Sequence, residues 1–197
     1  MKKEQLHELL FQALETEVGG IQVYETALRC AIDADLKEEW TKYLEQTRTH
    51  EKIMRNLLAD MGLDPAKETP GRQVVRHKGE SLVEAMNMSL KAGNPDAAQL
   101  VAAECVVTAE TKDHQNWELL GQTAEQLQGA EGQALKRACE QVEDQEDEHL
   151  YHSMGWSREL WLDSLGLPAV LPPPEEEKDA KTPHPAAGAN GARKTML

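Results

Sequence analysis

Four stretches of this chain place apolar residues at steps of three and four over many turns, and that period leaves long amphipathic helices as the only economical fold. From Lys3 to about Ile32 the residues Leu6, Leu10, Ala13, Ile21, Tyr24, Leu28 and Ala31 share one face. After "DADLKEEW", where Asp33 or Asp35 can cap, a second helix carries Leu36, Trp40, Leu44, Met54, Leu57 and Met61 and stops at "MGLDP". A third runs from about Pro95 to Gln128 and a fourth from about Glu131 to Leu165, with "QGAEGQ" between them. Strand signals are nearly absent, because β-branched runs are short and Gly and Pro cluster at few places. The class expected is all-α.

The two tight turns make two antiparallel hairpins. Between them, "GLDPAKETPG" and a shorter helix in "RQVVRHKGESLVEAMNMSLKAG" form an unusually long crossover, which sets the second and third long helices parallel. Residues 1–165 are therefore expected to form the helical domain. In residues 166–197 the Pro-rich "LPAVLPPP" reads as an extended strap, followed by a tail without period.

Composition narrows the partners. With 35 acidic and 21 basic side chains the net charge is -14, which argues against nucleic acid and anionic membranes and favours cations. No apolar run reaches membrane-spanning length and no leader pattern follows Met1, so a cytoplasmic chain is expected. Cys30, Cys105 and Cys139 are odd in number and widely spaced, as reduced, buried thiols are.

Several polar groups fall on faces that should point inward. In the fourth helix the row through Leu135, Ala138 or Cys139, and Val142 continues to Glu146, His149 or Leu150, Ser153 and Trp156. Glu146 and His149 are three apart, so their Cβ atoms lie roughly 5 to 6 Å from each other on one face. A carboxylate and an imidazole so placed can grip one ion, or let the carboxylate bridge two, as in the Glu-x-x-His of di-metal helical bundles. Acidic helices also produce this spacing by chance, as a solvated face.

In the first helix Glu17 interrupts the apolar row, where an unpaired carboxylate is costly and needs a cationic partner. Tyr24 follows on the same face, whereas Glu15 and Glu25 lie nearer its edges and are expected in solvent. On the second helix His50 shares a row with Tyr43, Thr47 and Met54, and matches Glu17 in depth from the turn; Glu51 lies beside it. On the third, Glu110 falls at the depth of Glu146 and His149. Glu104, about a turn and a half away, can line an access route, and His114 can be an added ligand or a plain polar-face residue.

With Glu17 and Tyr24, His50, Glu110 and "EDEH" at Glu146 to His149 in line, roughly residues 3 to 160 resemble the ferritin-like superfamily, which includes bacterioferritins and rubrerythrins. The segment "LEQTRTHEKIMRNLL" is also similar to small ferritin-like proteins of bacterial stress responses. The resemblance implies a four-helix bundle holding two metals, usually iron, with Glu17 and Glu110 as single carboxylates and Glu146 and His149 as one complete Glu-x-x-His. The second helix departs from that pattern. Thr47 stands three residues before His50 where the family has glutamate, which leaves Glu51 or Glu45, or His114, to compensate.

A mixed carboxylate and imidazole set suits iron, or manganese, over structural zinc or calcium. The expected activity is oxidation of ferrous iron or reduction of peroxide, with dioxygen or peroxide as the reacting partner and Tyr24 donating a hydrogen bond or an electron. Two rivals are oxidation of an organic substrate in an apolar pocket, for which Gly19, Gly20 and Ala27 leave room, and a metal-free helical interaction protein. Gly19 and Gly20 cost roughly 1 kcal/mol each in helix propensity, which points to a close helix approach, a local distortion or a harmless packing notch. The four tryptophans read as packing residues, and a homodimer is a further expectation.

Overall fold

Three of the helices begin where a side chain caps the first turn. In the computed structural model, which describes residues 2–170 and 173–175, five helices follow one another: α1 (Lys3–Cys30), α2 (Ala34–Asp60), α3 (Pro70–Ala92), α4 (Pro95–Ala124) and α5 (Gly129–Ser164). The Asp33 carboxylate accepts from the backbone N–H groups of Asp35 and Leu36 and starts α2. Thr69 and Asn94 cap α3 and α4 in the same way, each followed by a proline at a position where the missing N–H costs nothing. No strand occurs among the described residues, whose regular structure is all-helical.

Contacts run α1 to α2, α2 to α5, α5 to α4 and α4 to α1, while the diagonal pairs meet only through side chains such as Lys3 and Glu131; these four helices therefore close a ring around one interior. The side-chain pairings set their directions. Asn116 meets Thr16 and Gln99 meets the backbone of Ile32, so α4 runs against α1. Lys42 meets Glu148 and Glu39 meets Trp156, so α5 runs against α2. The apolar interior is in two halves. One holds Leu10, Phe11, Leu14, Met54, Leu58, Leu120 and Leu135; the other holds Val23, Tyr24, Leu36, Trp40, Met86 and Val106. Between them each ring helix presents polar residues.

The crossover differs from its expectation in size. At 23 residues, α3 is nearly as long as α2 and lies along the outside of α1, with further contact to α4. It runs parallel to α1: Thr69 reaches Glu8, Arg76 reaches Glu15, and Arg29 reaches Asn87. Gly19 of α1 sits against Gly79 of α3, and a Cβ on either would just touch the other's Cα. Gly20 faces the other way, where a Cβ would come within 3.2 Å of the Thr47 methyl of α2. These two glycines mark close approach, and α1 continues through them without interruption.

All three cysteines are free and buried. No helix among the described residues is long and apolar enough to cross a membrane. The stretch expected as a strap is exposed from Leu167 to Val170, and contact with the helices is made by buried Pro173 and by Glu175, whose carboxylate accepts from Arg158. The tail from residue 176 lies outside the described residues.

Candidate metal centre

The polar layer between the two apolar halves is built from all four ring helices: Glu17 from α1, His50 from α2, Glu110 and Asp113 from α4, and Glu146 and His149 from α5. Every one is buried, and Glu17, His50 and His149 are fully so. Their ligand-capable atoms gather into two groups. One consists of His50, Glu146 and His149, the other of Glu17, Asp113 and Glu146, and within each the atoms lie within 4.8 Å of one another. Glu146 belongs to both. Glu110 joins the first group through an Oε2 that lies 3.6 Å from His149 Nδ1.

The imidazoles are held from behind by a reciprocal brace. His50 Nε2 contacts Gln145 Oε1 of α5 at 2.8 Å, and His149 Nε2 contacts Gln46 Oε1 of α2 at 2.9 Å. An amide oxygen only accepts, so each ring carries its proton on Nε2 and turns a bare Nδ1 lone pair into the layer. His50 Nδ1 then lies 2.8 Å from Glu146 Oε1, two acceptors face to face, a contact that requires a proton or a cation between them. Burial, the largest influence on His50, lowers its pKa and so opposes supplying that proton from the ring.

The remaining polar atoms repeat this deficit. Glu17 Oε2, Glu110 Oε2, Asp113 Oδ1, both Glu146 oxygens and both histidine Nδ1 atoms are buried with no hydrogen-bond partner. Unmade polar contacts of this kind cost about 1–3 kcal/mol each. Burial, reinforced by the neighbouring carboxylates, pushes Glu17, Asp113 and Glu146 well above the usual carboxylate range. The indole of Trp117 donates to Glu17 Oε1 at 2.7 Å and holds that carboxylate in place without neutralising it. This cluster can hold a metal ion.

Of the residues singled out from sequence, the structure brings Glu17, His50, Glu110, Glu146 and His149 together. Tyr24 is buried at the edge of the layer, its ring 6.2 Å from that of His149, and burial with Glu110 nearby raises its pKa well above the usual phenol value. Three others stand apart. Glu51 is paired with Arg55, Glu104 is exposed and accepts from the Trp161 indole, and His114 sits at the rim, 3.4 Å from Asp147 and 3.6 Å from Glu118. Glu45 is exposed and paired with Arg48. Thr47 closes on its own helix by donating to the Tyr43 carbonyl and packs on Gly20.

The extra carboxylate comes instead from Asp113, which the sequence analysis missed although Glu110-x-x-Asp113 repeats the spacing of Glu146-x-x-His149. Gln46 and Gln145 were missed as well. Their signal is an identical Gln-x-x-x-His in "QTRTH" and "QEDEH". Comparison with protein-family models, curated proteins and solved structures finds no match for this chain.

Proposed function

We propose that this chain is a ferritin-like four-helix bundle that holds two redox-active metal ions, iron foremost and manganese as the alternative, and uses them on dioxygen or peroxide in iron handling or protection against oxidative stress. The observation that carries this reading is the position of Glu146, common to two groups of ligand atoms, as a carboxylate bridging two ions must be. Charge balance supports it: the carboxylates Glu17, Glu110, Asp113 and Glu146 with two neutral imidazoles compensate two divalent cations.

Bound ions would supply electron exchange with dioxygen or peroxide. The residues supply the rest. Glu146 would serve both ions; His50 and His149, locked by Gln145 and Gln46, would present lone pairs of fixed direction. Glu17, steadied by Trp117, and Asp113 complete the second position. Tyr24 presents a buried hydroxyl beside Glu110, positioned to donate within the layer.

Elemental analysis of the full chain from cells supplemented with iron and manganese tests this directly. About two ions per chain are expected, as in carboxylate-bridged bundles. Glu146→Ala, folded by circular dichroism, should retain none, because it removes a ligand from both positions. A wild-type chain that purifies without metal and takes up none on reconstitution overturns the proposal.

A further inference from the structure

A second site lies behind the metal layer. Between α1, α3 and α4 there is a cavity of about 540 Å³, within the range of pockets that enclose a small organic molecule. Its wall is mostly apolar, from Val23, Val75, Leu82 and Ala109, with the backbone of Gly19 and Gly79 completing it where α1 and α3 come together. Two cations stand on the same wall, Lys78 and Lys112.

Those lysines are unusual in a chain with 35 acidic residues against 21 basic ones. Neither makes an ion pair among the described residues, and both face the same cavity, Lys78 from α3 and Lys112 from α4. The one carboxylate on the wall, Glu15, is already held by Arg72 and Arg76. Lys112 Nζ donates to Asn116 Oδ1, which uses one of its three N–H groups and leaves the others for a ligand. Lys78 is exposed, so the cavity opens to solvent beside it.

We propose that this cavity binds a small amphipathic carboxylate, with its apolar chain against Val23, Val75, Leu82 and Ala109 and its anionic head between Lys78 and Lys112. Both parts of the wall are needed for that assignment. An apolar pocket alone would take a neutral hydrocarbon, and two lysines alone would take any anion; together they select a molecule that carries both. The site needs no metal for its own contacts, since Val75, Lys78 and Leu82 come from α3, which supplies no residue to the metal layer.

Calorimetric titration of octanoate into the full chain, with chelator present so that coordination to a metal cannot imitate the signal, tests the assignment. Saturable one-to-one binding with Kd below about 1 mM is expected, with octanol and inorganic phosphate each at least ~10-fold weaker. Lys78→Met, at an exposed position that leaves the fold intact, should weaken octanoate ~10-fold and leave octanol unchanged. Leu82→Trp should fill the cavity and remove both. Absence of octanoate binding, phosphate binding as tight as octanoate, or octanoate affinity indifferent to Lys78→Met overturns the proposal. Metal content does not enter these readouts, so failure here is separate from failure of the metal centre.

Discussion

Two carboxylates on one helix, Glu15 and Glu17, are both buried and meet opposite fates. Glu15 faces α3, where Arg72 Nε and Arg76 Nε each approach it to 2.6 Å. Burial would raise its pKa, but hydrogen bonds from Arg76 and Arg72 outweigh it and the carboxyl is held below its usual value. Glu17 faces the ring interior, where its neighbours are other carboxylates and its pKa is driven up. A fixed cation satisfies the first inside the fold; the second is left for a cation that must come from outside. Burial alone therefore does not mark a functional acid. The absence of an internal cation does.

The largest consequence concerns Glu15. Arg72 also donates to the Pro65 and Lys67 carbonyls, so the Glu15 pair fastens the crossover to α1. Glu15→Gln leaves a buried guanidinium without its anion, a loss of about 3–5 kcal/mol. Urea denaturation of the metal-free chain should show that loss, while metal bound per folded chain stays at the wild-type level. A drop in metal content matching the Glu146→Ala variant would erase the distinction between the two acids.

A smaller effect sharpens the other side of the comparison. Gln46 and Gln145 touch no proposed metal position, yet they set which nitrogen of His149 and His50 is bare. Replacing either by leucine frees the ring to rotate or to change tautomer, and metal affinity should fall ~10- to 100-fold. Competition with a chromophoric chelator measures it. Unchanged affinity in both variants would mean that the brace is packing only.

How much of this was legible beforehand follows the range of the interactions. Helix order, the two turns and the inward row of α5 follow from local period and caps, and so did Glu17, His50, Glu146 and His149, each of which falls in an apolar row, while Glu110 followed from matching its depth to Glu146 and His149. Glu15 was expected in solvent because its partner Arg72 lies 57 residues away across the crossover, and no local pattern announces that α3 will lie along α1. Asp113 was hidden by its neighbours on α4, a helix whose polar residues surround the whole circumference. Gln46 and Gln145 were hidden by chemistry: a glutamine in an acidic helix reads as surface, and only comparison of α2 with α5 exposes the repeated spacing. The resemblance that directed attention to a glutamate at position 47 worked against finding the carboxylate on α4.

The smallest predicted effect is a difference in the pH dependence of stability, and its sign separates the two acids. In the metal-free chain the folded pKa of Glu17 lies above its unfolded value near 4.5, so over the window between them the folded state holds the extra proton. Stability therefore falls as pH rises through that window. Glu15 has the reverse sign, since its folded pKa lies below the unfolded value: its contribution is present above that value and is lost as pH falls through the folded pKa. Glu17→Gln removes the first penalty and keeps the Trp117 contact, because a glutamine carbonyl can still accept from the indole. With chelator present, the variant should gain on wild type as pH rises, because the raised folded pKa of Glu17 penalises only the ionised wild-type side chain. Urea midpoints across the pH range measure it. Added metal should invert the order, because an ion that binds only the folded wild-type site stabilises it by mass action, and the variant has lost a ligand. Parallel pH curves without metal would show that Glu17 is already neutralised inside the fold, as Glu15 is, and the contrast between them would then be one of position only.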